Sequence, residues 1–337
     1  MVGQTGANWI LVNRVVGGTG STISGNINAA GQVWIIDPNG VTVNAGAALN
    51  VGGLLLSSAS WSAIDRSNFL AGGTSWNFND QNGPVVMNGT VVTNGGGVVA
   101  LLAPSVTVGG TVTAGSNTQF LAVAAHTFSL GFTDNGTYFT LSGLTIVEGD
   151  DGDGVTFNNG SSISAGRIVV AAAGATSAAS IVVGGSLTAN AVRSDGADIV
   201  LMADGTGPGS SPTNQTVLTG GAVAPVASGS SRSTITLASS GSLMASGVTL
   251  ASVGDIDLTG NVSATNAKLT SAEGAIDQTA GIVSATSLTG SSSGATSLAG
   301  ANAIGTVSNF TSGGNFSLSS AQSLTAGAVP RPAATSP

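Results

Sequence analysis

Short runs of alternating apolar and polar residues, separated by Gly, Asn or Ser, recur along the whole chain of 337 residues. Alternation with a period of two places successive side chains on opposite faces of a strand, so each run predicts a half-buried β-strand. Three such runs begin at Gly241, Gly260 and Gly281 and align with one another. Their spacing of about 20 residues lies in the range of solenoid repeats.

Each repeat contains two further strands. Segments 248–252, 267–271 and 286–289 form one set, and segments 254–258 and 274–278 form the other. Three short strands per repeat describe one coil of a β-helix, in which each strand pairs with the next coil. Earlier segments follow the same pattern less regularly, namely 40–43, 89–92, 97–102, 110–113 and 185–188. The sequence therefore predicts an all-β fold, a parallel β-helix or β-solenoid.

Three stretches rich in other residue types interrupt this pattern and predict excursions from the coils: 61–84, 126–154 and 204–233. Within the first of them, residues 60–70, which precede Gly72 and Gly73, predict a short helix packed on the coils. Residues 329–337 contain three prolines and predict a disordered tail.

Composition excludes several classes of protein. Gly contributes 52 residues and charged residues only 7%, but the frequent Val, Ile and Thr argue against disorder. The net charge is −8, Lys268 is the one lysine and the six arginines are scattered, which argues against nucleic acid or anionic lipid as a partner. No Cys is present, so disulfides and thiolate chemistry are excluded. No apolar run reaches the roughly 18 residues of a spanning helix.

Ordered motifs over roughly the first 150 residues resemble the N-terminal secretion domain of filamentous haemagglutinin-type proteins, the exported members of bacterial two-partner secretion (TPS) systems. The first motifs, LVNRVVGG and ISGNI, lead into AGQVWII, DPNGV and ALNVGGL. The later motifs are NFLAG, GGGVVALLAP, GTV and FLAVAA. The matching segments are 11–18, 23–27, 30–36, 37–41, 48–54, 68–72, 95–104, 110–112 and 120–125.

The resemblance implies a right-handed parallel β-helix, exported to the cell surface or medium through an outer-membrane β-barrel transporter with periplasmic POTRA domains. It implies a surface adhesin or haemagglutinin-like exoprotein that acts in cell adhesion or biofilm, with a receptor or glycan on a host or neighbouring cell as partner. We expect the secretion domain at 1–150, a stalk of about 20 residues per coil at 151–328, and the tail at 329–337.

Two features depart from the family pattern. Asp37 stands where the family has asparagine, a mild change because either side chain forms an Asx turn. The family's leader and first capping strands, upstream of the region that matches Asn13, are missing, and Met1 begins no signal peptide. The hypothesis is that Met1 is a truncated or misassigned start.

The resemblance points to six secretion-motif residues. The turn at Asp37–Gly40 has two compatible interpretations, a tight coil corner and a secretion determinant. For Asn13, the alternative to a secretion role is an asparagine of the strand ladder that bonds to neighbouring backbone. The candidates are Asn13, Arg14, Asp37, Pro38, Asn39 and Gly40.

One acidic cluster, EGDDGDG at 148–154, offers weak calcium candidates in Asp150, Asp151 and Asp153, because carboxylates among glycines can bind this hard cation. The spacing fits neither an EF-hand nor a calcium nonapeptide repeat, so a solvated loop is the alternative. No other metal and no cofactor is predicted.

The competing class is a carbohydrate-active β-helix enzyme, a polysaccharide lyase or hydrolase, which needs paired carboxylates beside basic residues on one coil face. Asp150 and Asp151 form a pair, but the one histidine, His126, and Lys268 lie elsewhere in the sequence. We therefore expect no enzyme. Ice binding through a threonine ladder is also disfavoured, because Thr111 and Thr113 stand isolated in the sequence.

Overall fold

The computed structural model of the protein shows a stack of coils whose strands form three parallel β faces. Each coil passes through the three faces in turn, and each strand pairs in register with its counterparts in the preceding and following coils. The structure describes residues 9–60, 62–79, 82–93, 97–134, 139–146, 152–174, 178–191, 198–204, 215–216 and 233–327.

Face 1 consists of short strands in which apolar and polar residues alternate. Thr107, for example, is partly exposed between the buried Val106 and Val108. Its strands are β2 (Ser21–Ile23), β5 (Val41–Val43), β9 (Val85–Met87), β12 (Ser105–Val108), β17 (Gly154–Phe157), β20 (Ser180–Val183), β24 (Thr234–Leu237), β26 (Ile256–Leu258), β28 (Ile276–Gln278), the start of β30 (Thr296–Ser312) and β31 (Phe316–Ser320).

Face 2 follows one short turn later in each coil and shows the same alternation. Near the C-terminal end, the long strands run from face 2 into face 3 without a break. Face 2 contains β3 (Ile27–Asn28), β6 (Ala48–Val51), β10 (Thr90–Thr93), β13 (Thr111–Ala114), β18 (Ser162–Ala165), β21 (Ser186–Ala189), and the first halves of β25 (Ser242–Ser252), β27 (Asn261–Ser271) and β29 (Val283–Ser292).

Face 3 is the longest and most apolar face. It comprises β1 (Ile10–Arg14), β4 (Gln32–Ile36), β7 (Gly53–Ser57), β11 (Val98–Ala103), β14 (Gln119–Ala124), β19 (Arg167–Ala173), β22 (Ile199–Asp204), the second halves of β25, β27 and β29, the last part of β30, and β32 (Thr325–Ala326).

The inward side chains of all three faces form one continuous apolar core, from Val33 to Phe310. The predicted repeat is confirmed, because Leu243, Val262 and Val283 pair in register. In the second strand of the repeat, however, segment 286–289 is displaced by two residues. Leu288 pairs with Ala267, and Gly290 pairs with Leu269.

A small antiparallel sheet covers the outer surface of face 3. Each predicted excursion contributes to it, and its strand order is β23 (Gln215–Thr216), β16 (Phe139–Ile146), β15 (Phe128–Asp134) and β8 (Ser75–Phe78). Trp76, Phe78 and Phe128 pack from this sheet onto Trp34 and Leu102 of face 3 in a second apolar cluster. The face 3 strands beneath this sheet, such as β11, β14 and β19, are therefore buried on both sides, which explains why they read as unbroken apolar runs.

The predicted helix is present as α1 (Ala63–Leu70). Ser62 is its N-cap: the Ser62 hydroxyl accepts a hydrogen bond from the Asp65 backbone N–H at 3.0 Å and donates one to the Asp65 carboxylate. This pairing satisfies an otherwise orphaned N–H at the helix start. Asp65 also accepts a bond from the backbone N–H of Asn77 in β8, which ties the helix to the covering sheet.

The prediction of an all-β parallel β-helix is confirmed, with strands stacked coil on coil. The division at residue 150 stays a prediction, since β12 and β17 pair across it and the core continues unbroken. The tail at 329–337 lies outside the described residues. Among the helices in the described part of the chain, none has the length and apolarity needed to cross a membrane.

Candidate functional site

The segment Asp37–Gly40 forms the predicted tight turn between β4 on face 3 and β5 on face 1. The Gly40 N–H donates to the Asp37 carbonyl oxygen at 2.9 Å, and the Asn39 N–H donates to Asp37 Oδ1 at 3.0 Å. The second bond is the Asx turn that asparagine would also form. Gly40 has φ +104°, a left-handed conformation in which a side chain would be strained.

The preceding coil holds this turn from one side. The Ser21 hydroxyl donates a 2.7 Å hydrogen bond to Asp37 Oδ2, and the Ser21 N–H donates to the Gly40 carbonyl oxygen at 3.0 Å. Asp37 is fully buried. Its carboxylate therefore accepts hydrogen bonds from its own turn and from the neighbouring coil in place of hydrogen bonds from water, as a buried carboxylate requires.

The following coil holds the turn from the other side. The Gly83 N–H donates to the Pro38 carbonyl oxygen at 3.1 Å, and the Val41 N–H donates to the Pro84 carbonyl oxygen at 3.0 Å. A Cβ on Gly83 would lie 2.2 Å from the carbonyl carbon of Asn39, so the two backbones approach too closely for any side chain. Sequence reasoning missed both Ser21 and Gly83, although the Asn-Gly-Pro at 82–84 was a turn signal.

The four residues of the turn divide by exposure. Asp37 and Gly40 are buried, Pro38 is half-buried and Asn39 is exposed. Buried members shape the corner, whereas Asn39 is the member that a second molecule can reach.

Asn13 and Arg14 lie on β1, in register with Ile35 and Ile36 of β4, and both are exposed. Because parallel in-register strands share their faces, Asn13 lies on the inward side with Ile35, whereas Arg14 lies on the outer side with Ile36. The Val15 N–H donates to the Ile36 carbonyl oxygen at 2.9 Å. The structure therefore places Asn13 and Arg14 one coil away from the turn at 37–40.

The outer surface of face 2 is a regular array in which most side chains are small and polar, with Ala48, Val92 and the exposed Met244 among them. Thr111 lies in register between Thr90 and Ser162, and Thr113 lies between Val92 and Ser164, so threonines do not stack in every coil. Hydrogen bonds link the array in places, for example from Asn50 Nδ2 to Asn28 Oδ1 at 3.0 Å. The two outward columns are Ala48, Thr90, Thr111, Ser162, Ser186, Ser242 and Asn261, and Asn28, Asn50, Val92, Thr113, Ser164, Thr188, Met244, Ser263 and Ser284.

The calcium candidates are described only in part. Asp150 and Asp151 lie outside the described residues, and the side chain of Asp153 is exposed. The described residues contain no group of three or more His, Asp or Glu side chains arranged to bind a metal ion. His126 is exposed at the start of the second excursion.

Acidic side chains do stack on face 1. Asp257 pairs in register with Asp277, and Asp255 lies two residues earlier in the chain, just before β26 begins. Desolvation raises the pKa of Asp257, and the charges of Asp255 and Asp277 raise it further. Asp255 is held in place by the Ala275 N–H, which donates to its Oδ1 at 2.7 Å.

Comparison with known proteins agrees with the resemblance in the sequence. Residues 3–149 match the family model of the TPS secretion domain. A heme/hemopexin-binding protein of Haemophilus influenzae is 36% identical over 92 residues, which cover 27% of this chain and 10% of that protein. A second Haemophilus influenzae protein of the same description is 44% identical over 52 residues, or 15% of this chain and 6% of its own length.

Among solved structures, the crystal structure of the HMW1 secretion domain from Haemophilus influenzae matches with a TM-score of 0.48 and 16% identity. The match covers 94% of this chain and 87% of that one. The assignment of residues 3–149 to the TPS secretion domain rests on the family model. The chain spans a tenth or less of the length of the curated relatives that it matches.

Proposed function

We propose that the chain belongs to an exoprotein that is exported by two-partner secretion and displayed at the bacterial surface or released. The observation that carries this proposal is the TPS secretion domain at residues 3–149. Its partner is an outer-membrane β-barrel transporter with periplasmic POTRA domains, and the six secretion-motif residues around Asn13 and Asp37 serve that recognition. The buried, fully bonded turn at Asp37 supports this assignment, because it presents one constant surface.

The exported coils act in adhesion or biofilm by display. The uncharged outward columns of face 2, which are mostly Ser, Thr and Asn, support this role, since a flat and largely polar surface suits a neutral receptor surface or glycan. The polysaccharide lyase or hydrolase alternative lacks its chemistry on the described residues. Asp255, Asp257 and Asp277 share face 1, but no Lys or Arg lies on a described strand of that face.

Secretion by bacteria that express the chain, with an export leader, together with its cognate transporter tests the first part. We expect the chain in the medium with the transporter and in the periplasm without it. Asp37→Ala removes the acceptor for Ser21 and Asn39 and should reduce export, whereas Asp37→Asn keeps the Asx turn and should not. Equal export with and without the transporter would contradict the proposal.

Binding of the purified chain to cells tests the adhesive role. Thr113→Asp and Thr188→Asp place charges in the outer column of face 2 and should reduce binding. Thr107→Asp introduces the same charge on face 1, between the uncharged Val86 and Thr156, and is the matched control. If all three variants bind cells like the unmodified chain, face 2 is not the adhesive surface.

A further inference from the structure

The secretion motif contains two kinds of residue that differ in what they touch. Asp37 and Gly40 are buried within the coil corner, and every hydrogen bond described for the Asp37 side chain is internal, to Ser21 or Asn39. Substituting them changes recognition only by moving Asn39, so a screen for export alone cannot identify the contact surface.

Exposed groups of a different character surround Asn39. Arg14 and Val16 lie in the preceding coil, where the Val15 N–H bonds to Ile36, the residue just before the turn. Neighbouring coils are about 4.8 Å apart, so this segment runs directly beside the turn. Gly20 closes the same loop, since a Cβ on it would lie 3.0 Å from the Asn39 carbonyl oxygen.

The charge at this corner opposes that of the chain. Arg14 is the only basic residue between residues 9 and 60, and Asp37 is the only acidic one. Asp37 is buried and hydrogen-bonded, whereas Arg14 is exposed on the surface. A chain of net charge −8 thus presents an exposed cation beside its secretion turn.

Exposed apolar side chains are concentrated here as well. Seven large hydrophobic side chains are exposed among the described residues, and three of them lie between residues 9 and 16. Trp9 is 56% exposed, Leu11 42% and Val16 72%. Leu11 is in register with Val33 of the inner core, on the side of β1 opposite to Arg14, so its exposure belongs to the first described coil. Val16 follows Arg14 by two residues and is the exposed apolar side chain beside the secretion turn.

We propose that Arg14, Val16 and Asn39 are the contact surface for an acidic, partly apolar segment of the transporter's periplasmic domains. Ser21, Asp37 and Gly83 are positioning residues that hold Asn39 in this surface. A carboxylate of the partner pairs with the Arg14 guanidinium, and an apolar side chain covers Val16. This inference rests on the proposed function, since it names the side chains that serve the export partner.

Titration of the purified full chain against the purified periplasmic domains of its cognate transporter, at several salt concentrations, tests the inference. Arg14→Gln should weaken binding about tenfold and lessen its salt dependence, because a charge pair is lost. Arg14→Lys should keep most of the salt dependence. Val16→Ser should weaken binding at all salt concentrations. Arg66→Gln, on the exposed side of helix α1, removes an equal charge elsewhere and should change nothing.

The outcomes separate this inference from the proposed function. Absence of binding by the unmodified chain would contradict the export partnership itself. Binding of Arg14→Gln and Val16→Ser with unchanged affinity would overturn the contact surface alone. A fall in melting temperature that parallels the loss of binding in both variants would also overturn it, because the surface would then be covered by the protein's own chain or by a second copy.

Discussion

The side-chain amides of Gln278 and Asn302 form two reciprocal hydrogen bonds, each 2.8 Å long, in the interior of the coil stack. Asn302 Oδ1 also accepts from the Val283 N–H at 2.8 Å, and its Nδ2 also donates to the Leu298 carbonyl oxygen at 3.1 Å. Both residues are almost completely buried. This closed network links two consecutive coils and leaves neither amide unsatisfied, as a buried polar group requires.

Asn302→Ala should therefore destabilise the C-terminal coils by about 2 to 3 kcal/mol, because it leaves the Val283 N–H buried without this acceptor and removes both Asn302 hydrogen bonds of the Gln278 amide, which keeps only Gly281 and Gly300 as partners. Urea denaturation followed by circular dichroism measures the loss, and hydrogen exchange of strands β28 to β30 locates it. Asn266→Ala removes an exposed asparagine of the same stalk and is the control. Equal urea midpoints for the two variants would show that the network contributes nothing to the stability of the coils.

Gly290 and Phe310 are complementary in size at the displaced point of the repeat. Leu269, Gly290 and Phe310 form one inward column, and the Phe310 ring lies against Gly290. A Cβ on Gly290 would lie 1.9 Å from the Leu269 carbonyl oxygen and 3.0 Å from the Phe310 ring. Gly290 also has φ +153°, which an L side chain rarely adopts.

Gly290→Ala should accordingly cost about 3 kcal/mol, since the coils cannot separate without breaking their hydrogen bonds. Gly25→Ala, at a glycine with no atom within 4 Å of the added Cβ, should leave stability unchanged. Thermal melting of both variants makes the comparison. A melting temperature of Gly290→Ala within a degree or two of the unmodified chain would contradict the packing described here.

The coil strands could be predicted from the sequence because each one carries its own signal, a turn residue followed by alternation, as at Gly260. The covering sheet could not be predicted from the sequence in this way. Segments 75–78 and 128–134 are far apart in sequence, and their pairing depends on the coils that lie between them. The available signal was indirect: VVALLA at 98–103 and RIVVAAA at 167–173 do not alternate, which indicates burial on both faces.

The candidate site was predictable to the same extent. The turn at Asp37–Gly40 follows from local Pro, Asn and Gly chemistry. Ser21 and Gly83 became part of it only because successive coils stack, one 16 residues before Asp37 and the other within an excursion. Local sequence reasoning finds a corner but not its neighbours in the adjacent coils.

The covering sheet should be able to unfold locally while the distant coils of the stack stay folded. Trp76 is buried in the outer cluster, with ring centroids 5.4 Å from Trp34 and 5.0 Å from Phe132. Trp76→Ala should cost about 3 to 5 kcal/mol locally. Because each coil contacts only its neighbours, hydrogen exchange should increase in β15 while β26 and β28 stay protected.

Leu70→Ala on helix α1 is the control for this variant, because Leu70 is 80% exposed and should tolerate truncation. Uniform loss of protection in Trp76→Ala, from β15 through β28, would show instead that the sheet and the coils unfold as one unit.

Gln32 offers a stabilising substitution. Its side chain is fully buried, and neither amide atom has a hydrogen-bond partner among the described residues. Gly53 lies in register beside it, and a Cβ there would come within 3.0 Å of Gln32 Oε1. Gln32→Met keeps the length of the side chain without the unsatisfied amide, so we expect a gain of about 1 kcal/mol. Gln32→Glu should be strongly destabilising, and a Gln32→Met protein that melts below the unmodified chain would contradict this account.

The stacked carboxylates of face 1 predict that the stalk becomes more stable on mild acidification. Burial and the charges of Asp255 and Asp277 raise the pKa of Asp257 in the folded chain, so the folded state binds its proton more tightly than the unfolded state does. Stability should therefore rise as pH falls through the raised pKa, with the gain complete below the ordinary Asp value of about 3.9. The other neighbouring strand presents Thr236, which is uncharged.

Melting curves between about pH 4 and pH 7 test this sign, with Asp257→Asn as the variant that removes the titrating group. We expect Asp257→Asn to melt higher than the unmodified chain at neutral pH and to show a flatter pH dependence. Thr236→Asn changes the same outward column without altering charge and should follow the unmodified curve. If Asp257→Asn melts lower at neutral pH, the carboxylate stabilises the coil through its own contacts, and repulsion between stacked carboxylates is not the dominant interaction.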